Sequence, residues 1–216
     1  HKIVLGGVST IDGKAPLMVT ESMTSSSTHP RGHATSLPNI LTYGRIAAVP
    51  LLVACFYLDG YYANWLTLAI FIAASVTDFL DGYLARAWQQ QSALGRMLDP
   101  IADKLLVAAA LMMLVYVGTI GGWSLIAAII ILSREILVSG LREFLAELRV
   151  SVPVTTLAKW KTTLQMVAIG FLLAGAAGDA IIPGVSLVGL TLLWLSAILT
   201  LYTGWDYFRA GIRHAM

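Results

Sequence analysis

The chain has 216 residues, of which 57% are hydrophobic and 12% are charged, and its mean hydropathy is +0.78. These values exclude an ordinary soluble domain and indicate an integral membrane protein. The formal net charge of +2 is small, and the single cysteine, Cys55, cannot form a disulfide within the chain, so cysteine usage gives no evidence about the compartment.

The first part of the chain differs in composition from the rest. Residues 1–37 are rich in Ser, Thr, Gly and His and lack the basic and apolar regions of a signal peptide. Met23 is a plausible natural start, which leaves the origin of residues 1–22 open. We therefore expect an N-terminal extension over 1–37 and a single transmembrane domain over 38–216.

Six apolar stretches follow, each long enough to cross about 30 Å of hydrocarbon as a helix that rises about 1.5 Å per residue. Turn residues such as Asp59-Gly60 and Gly121-Gly122 separate them. The expected fold is all-α: a polytopic membrane protein with six transmembrane helices. The predicted spans are 39–58, 65–86, 98–117, 123–146, 160–177 and 184–207.

The distribution of Lys and Arg predicts the orientation of these spans. The connectors at 59–64, 118–122 and 178–183 contain neither residue, whereas the opposite ends of the spans carry many of them. Because cytoplasmic flanks carry the excess of positive charge, we expect both termini and the connector between spans two and three to face the cytoplasm.

Four aspartates flank that connector. Asp78 and Asp81 are three residues apart, and Asp99 and Asp103 are four apart, so each pair shares one face of its helix. An antiparallel hairpin of spans two and three would bring the pairs together. Ionisable groups at membrane depth are costly, and clustered carboxylates either take up protons or attract cations. Hard oxygen ligands favour Mg²⁺, Mn²⁺ or Ca²⁺, and four carboxylates suit about two ions.

The residues between the two pairs favour a phosphate ligand. Gly82 allows a ligand to approach the helix backbone, and Arg86 can donate paired hydrogen bonds to a phosphate. A single Asp and Arg at a helix end is usually a solvated interfacial pair. The complete pattern, D-x-x-D-G-x-x-A-R, eight residues, then G-x-x-x-D-x-x-x-D, is much harder to explain in that way.

This pattern is similar to the signature of the CDP-alcohol phosphotransferase family. Every fixed position of the signature is present: Asp78, Asp81, Gly82, Ala85, Arg86, Gly95, Asp99 and Asp103. The resemblance implies a six-helix membrane enzyme, commonly homodimeric, in which an alcohol displaces CMP from a CDP-linked lipid with the help of Mg²⁺ or Mn²⁺. It implies no nucleic-acid partner.

The resemblance also implies roles for individual residues. It places the divalent metal on Asp78, Asp81, Asp99 and Asp103, and it makes Asp103 the general base. The residues that it implies for binding the CDP-lipid are Asn39, Thr42, Asp78, Gly82, Arg86 and Ser92.

The segment 37–42 with Arg45, and the segments 133–147 and 158–166, are similar to the bacterial members of this family that use a glycerol 3-phosphate acceptor. This implies transfer of the phosphatidyl group from CDP-diacylglycerol to sn-glycerol 3-phosphate, giving phosphatidylglycerol phosphate and CMP, at the cytoplasmic face of a bacterial inner membrane. An anionic acceptor also needs fixed cations near the metals. The candidates for binding its phosphate are Arg134, Arg142, Lys159 and Lys161.

Alternatives stay open at this point. The positive-inside bias alone would place Lys and Arg at these helix ends, although Arg134 lies deeper in its span than the others. A related enzyme could use another acceptor, namely inositol phosphate, serine or phosphatidylglycerol. A divalent-cation transporter would also carry intramembrane aspartates, but it would distribute them through the membrane depth, whereas these four converge at one face.

Overall fold

A computed structural model describes residues 37–88, 93–147 and 156–215, all within one compact unit that spans residues 32–216. Side chains are described over 41–78, at Leu80 and Leu98, and over 101–145 and 160–205. The predicted N-terminal extension lies outside the described residues apart from Leu37, so its boundary stays a prediction.

Within these ranges every regular element is an α-helix, which confirms the predicted all-α class. Each of the six predicted spans overlaps one helix; the largest differences are that the sixth helix ends eight residues beyond its predicted span and that the third begins five residues before it. The helices are α1 Leu37–Cys55, α2 Tyr61–Trp88, α3 Ala93–Tyr116, α4 Ser124–Glu147, α5 Thr156–Asp179 and α6 Val185–Ala215.

The chain is a membrane protein by the length and composition of its helices. Among the described residues, three helical stretches are long and apolar enough to cross a bilayer: Ser124–Leu145, Trp160–Asp179 and Val185–Trp205. A shorter apolar helix covers Leu41–Cys55.

Helices α5 and α6 form the most extensive helix pair in the described part of the bundle. Their antiparallel register follows from two glycines that face large side chains. A Cβ atom added at Gly178 would lie 2.8 Å from Val185 Cγ1, and one added at Gly189 would lie 2.8 Å from Leu172 Cγ. Small residues at these positions allow the two backbones to approach closely, as is typical of helix pairs in membranes.

The connection into α6 is built by an acidic cap. The backbone N–H of Ser186 donates a 3.0 Å hydrogen bond to the carboxylate of Asp179, and Gly184 adopts a φ of 97° between them. A carboxylate at a helix start satisfies a backbone donor that has no partner within the helix. Asp179 thus ends one helix and caps the next.

Helix α5 is interrupted at Gly175, whose φ of 44° and ψ of −130° are not helical. The side-chain amide of Asn64 on α2 donates a 3.2 Å hydrogen bond to the carbonyl of Leu173, just before this kink. Kinks free backbone groups that then need another partner. The first turn of α2 therefore supports the last turns of α5.

The arrangement of α1, α2 and α3 differs from the predicted hairpin. Consecutive helices α2 and α3 contact each other little, whereas α1 packs extensively against both. One aspartate of each pair meets the other as predicted, because Asp78 lies close enough to act on the charge of Asp103, but the described helix contacts run mainly through α1. Arg45 on α1 is a cation that acts on the carboxylates of both neighbours.

Candidate functional site

Most of the charged side chains described in the helices lie toward one end of the bundle. Consecutive helices joined by short connectors run in opposite directions, so the ends near residues 37, 88, 93, 147 and 156 share one side. Arg45, Asp78, Asp103 and Lys161 lie in the halves of α1, α2, α3 and α5 nearest this side, and Arg134 lies near the middle of α4. The convergence of charge predicted from the sequence is therefore present among the described residues.

A buried ion pair joins α1 to α2. Arg45 Nη1 lies 2.6 Å from Asp78 Oδ1, and the arginine side chain is fully buried while that of Asp78 remains 43% exposed. Thr42 lies one turn before Arg45 on α1 and is also buried. Burying a guanidinium is expensive unless a carboxylate compensates it. Asp78 is thereby held in place while part of its carboxylate stays accessible to a ligand.

Asp103 on α3 belongs to the same electrostatic site. Its half-buried carboxyl lies close enough to the charges of Asp78, Arg45, Glu135 and Lys104 for each of them to act on it. Two of the four predicted aspartates are thus brought together around Arg45.

The positions of the other two predicted aspartates, Asp81 and Asp99, are given by their places along α2 and α3. Asp81 lies one turn beyond Asp78 on α2, and Asp99 lies one turn before Asp103 on α3. Their side chains lie outside the described residues, so their contacts stay predictions. Among the side chains that the structure describes, no group of three or more His, Cys, Asp or Glu residues is arranged to hold a metal ion. The described donors, Asp78 and Asp103, are hard carboxylate oxygens of the kind that Mg²⁺ and Mn²⁺ prefer, so they fit such an ion.

A second ionic cluster lies between α4 and α5. The buried ammonium of Lys161 pairs with Glu135, and Arg134 Nη1 lies 3.5 Å from the same oxygen, Oε1 of Glu135. Arg134 Nη2 also donates a 3.2 Å hydrogen bond to the hydroxyl of Thr203 on α6. Arg134 and Lys161, both predicted to bind the acceptor phosphate, therefore share one internal carboxylate.

For most of the remaining predicted site residues the structure gives the helix on which they lie but not their side-chain contacts. Arg142 is exposed on α4, two turns beyond Arg134. Gly82 and Arg86 lie on α2, Asn39 on α1 and Lys159 on α5, but their surroundings lie outside the described residues, as does Ser92 altogether. Their roles in binding stay predictions.

Sequence reasoning did not assign Arg45 or Glu135 to the site, although both occur in segments that carry the resemblance. The available signal was their position: each is an ionisable residue in the interior of an apolar stretch, where a partner is needed. Neither partner could be identified from spacing alone, because Arg45 and Glu135 pair with residues on other helices.

An apolar groove of about 490 Å³ runs between α2 and α5. Its walls include Phe71 and Val76 on α2 and Val167 and Phe171 on α5. Val76, which lies two residues before Asp78, is the last lining residue along α2, and the lining of the groove is almost entirely apolar. Such a surface suits an acyl chain, whose burial is favourable in proportion to apolar area.

Residues 35–202 match the family model described as CDP-alcohol phosphatidyltransferase. A protein of Rickettsia bellii named CDP-diacylglycerol--glycerol-3-phosphate 3-phosphatidyltransferase is 50% identical over 175 residues, covering 81% of this chain and 94% of the relative. A protein of the same name from Cereibacter sphaeroides is 43% identical over 211 residues, covering 82% and 96%. A cardiolipin synthase (CMP-forming) of Oryza sativa subsp. japonica is 43% identical over 190 residues, covering 81% of this chain and 56% of the relative.

Proposed function

The chain belongs to the CDP-alcohol phosphatidyltransferase family, and we propose that it transfers the phosphatidyl group of CDP-diacylglycerol to sn-glycerol 3-phosphate. The products are phosphatidylglycerol phosphate and CMP. The observation that carries the proposal is the meeting of two ionic clusters: Asp103 lies within electrostatic reach of both Asp78 and Glu135. One cluster suits a metal-bound pyrophosphate, and the other suits an acceptor anion.

In the proposed reaction the C1 hydroxyl oxygen of glycerol 3-phosphate attacks the phosphorus that carries diacylglycerol. The bond from this phosphorus to the bridging oxygen breaks, CMP leaves, and the hydroxyl proton passes to the carboxylate of Asp103. Asp103 is half-buried and lies near both Asp78 and Glu135, so its carboxylate is placed between the two ionic clusters that would hold the substrates. Reactions of this kind depend mainly on positioning and charge compensation.

A divalent ion held by Asp78, Asp81, Asp99 and Asp103 would neutralise the pyrophosphate charge as CMP leaves. Arg45 fixes Asp78 for this purpose, since its guanidinium holds Oδ1 at 2.6 Å. Gly82, Arg86 and Ser92, with Asn39 and Thr42 on α1, are the proposed contacts for the cytidine diphosphate. The groove between α2 and α5 would receive an acyl chain of the lipid substrate.

The proposed setting is the bacterial inner membrane, with the site facing the cytoplasm and the protein acting as a homodimer. The excess of Lys and Arg at the site end of the helices supports this orientation, because the connectors at the other end carry none. A water-soluble acceptor would then reach the ionic clusters from the cytoplasm, while the CDP-lipid arrives within the membrane.

Phosphatidylglycerol is a second candidate acceptor. It is favoured by the 43% identity to the rice protein named cardiolipin synthase, which is as high as the identity to the Cereibacter protein. The buried pair of Arg134 and Lys161 favours the smaller, phosphate-terminated acceptor instead, since both cations lie inside the bundle.

The test is an acceptor panel. The full chain in lipid nanodiscs, supplied with CDP-diacylglycerol and Mg²⁺, is offered glycerol 3-phosphate, inositol phosphate, serine or phosphatidylglycerol, and both CMP release and the lipid product are measured. We expect phosphatidylglycerol phosphate to form with glycerol 3-phosphate only. Turnover with phosphatidylglycerol alone would identify the second candidate, and no CMP release with any acceptor would contradict both.

A further inference from the structure

Glu135 lies where a substrate anion is expected. We propose that its carboxylate is an internal counter-anion that occupies the acceptor-phosphate position in the ligand-free protein and releases Lys161 and Arg134 when a phosphate binds. The inference rests on the proposed function and deepens it, since it makes Glu135 a residue that determines acceptor specificity.

The contacts of Glu135 resemble those of a bound anion. A single carboxylate oxygen, Oε1, contacts both Lys161 Nζ and Arg134 Nη1, so two cations from two helices converge on one acceptor atom. Arg134 is fixed from its other side by the hydroxyl of Thr203. A phosphate oxygen uses the same donors in the same way, because charged donors bind either kind of oxyanion strongly.

The energetics explain why the two buried cations need such a counter-anion when no acceptor is bound. The side chain of Lys161 is 3% exposed and that of Arg134 is 11% exposed. An uncompensated charge in such a position is strongly destabilising. Before the acceptor arrives, the cluster needs a negative group of its own, and Glu135 is the carboxylate that both cations contact.

The exposure of the three partners also indicates which of them can move. Glu135 is 22% exposed, about twice as much as Arg134 and several times more than Lys161. Its carboxylate can therefore turn toward water and be rehydrated, whereas the ammonium of Lys161 cannot leave without losing its burial. Moving the Glu135 carboxylate into water while both cations stay in place therefore costs less free energy than moving either cation.

This exchange would select the acceptor by charge. A phosphate dianion offers both cations a stronger partner than one carboxylate and can displace it. An uncharged or zwitterionic alcohol offers no such replacement, so the Glu135 ion pairs would persist and the alcohol would not be held. The site would thus favour glycerol 3-phosphate over serine without direct recognition of the glycerol.

The proposal is tested with Glu135→Gln, a substitution that keeps the size of the side chain and removes its charge. Binding of inorganic phosphate and of glycerol 3-phosphate to the full chain in nanodiscs is measured by calorimetry, and KM is measured for each substrate. Since the competing anion is lost, we expect Kd for phosphate and KM for glycerol 3-phosphate to fall about fivefold to tenfold. KM for CDP-diacylglycerol should stay unchanged.

Glu143→Gln is the matched control, because Glu143 is an exposed carboxylate two turns farther along the same helix. It should alter neither phosphate binding nor KM. If Glu135→Gln does not fold, Glu135→Asp replaces it; the shorter carboxylate should weaken the ion pairs and lower Kd for phosphate by a smaller factor. Unchanged or weaker phosphate binding in whichever variant folds would overturn the proposal.

The two hypotheses fail in different ways. A wild-type protein that releases no CMP with glycerol 3-phosphate would contradict the proposed function. An active wild type whose phosphate affinity does not rise on loss of the Glu135 charge would overturn only the counter-anion role, and would leave Glu135 as a structural ion-pair partner of Lys161.

Discussion

Arg45 shows how one residue can organise a cluster of like charges. The four aspartates would repel each other if nothing compensated them. The guanidinium of Arg45 is fully buried, contacts Asp78 at 2.6 Å and acts electrostatically on Asp103. It therefore fixes one carboxylate and reduces the repulsion felt by another before any metal binds.

We predict that Arg45→Gln lowers kcat/KM about 100-fold, because a small displacement of a catalytic group is enough for such a loss. It should also raise the Mg²⁺ concentration needed for half-maximal activity. Arg45→Lys keeps the positive charge but lacks the planar guanidinium group with its paired donors, so it should lose less activity than Arg45→Gln. Steady-state kinetics over a Mg²⁺ series measures both effects. Equal metal requirements in the wild type and in Arg45→Gln would contradict a positioning role.

Much of the site was predictable at the scale of residues, and the reason is chemical. Asp78, Asp103, Arg134 and Lys161 are ionisable groups in an apolar sequence, so each one had to find a partner. Which residue each of them pairs with depends on how separate helices pack together. The pairing of Lys161 with Glu135 across two helices is therefore not visible in the spacing of either residue.

At the scale of helices, the existence of each element was predictable from the length of its apolar stretch, but its irregularities were not. Gly170 and Gly175 occur in similar surroundings in the sequence of α5. Only Gly175 has a positive φ and interrupts the helix. The distinction depends on Asn64, which lies on α2 and bonds the carbonyl of Leu173 beside the kink.

The closest approach of α5 and α6 gives a prediction about stability. A Cβ atom at Gly189 would lie 2.8 Å from Leu172 Cγ and 3.1 Å from the backbone nitrogen of Leu172, which cannot move aside easily. We expect Gly189→Ala to destabilise the bundle by about 1–3 kcal/mol through overpacking. Thermal unfolding in detergent micelles is the measurement.

Gly140→Ala provides the matched control for this prediction. Gly140 lies inside α4, and a Cβ atom there would have no neighbour within 4 Å. The substitution should leave the unfolding temperature unchanged or raise it slightly, since Ala favours a helix over Gly by about 1 kcal/mol. A fall of equal size in both variants would show that loss of glycine itself, and not contact with Leu172, is responsible.

At the scale of the whole molecule, the bundle joins two ionic clusters that the sequence places far apart. Helix α1 connects the aspartates of α2 and α3, and α4 with α5 supplies Glu135 and Lys161 next to Asp103. The end of the bundle that carries most of the charges followed from composition. The position of α1 as the shared neighbour of α2 and α3 could not be predicted in this way. Which helices pack against each other, when all are joined by short loops, leaves no periodic pattern in the sequence.

The most direct test of this arrangement is CMP release by the purified chain in nanodiscs, supplied with CDP-diacylglycerol and glycerol 3-phosphate, before and after removal of divalent metal. We predict turnover with Mg²⁺ or Mn²⁺, loss of at least about 99% of it in chelator, and recovery when metal is returned, since positioning and charge compensation supply most of the catalysis. Full turnover after exhaustive metal removal would contradict the proposed use of the aspartates.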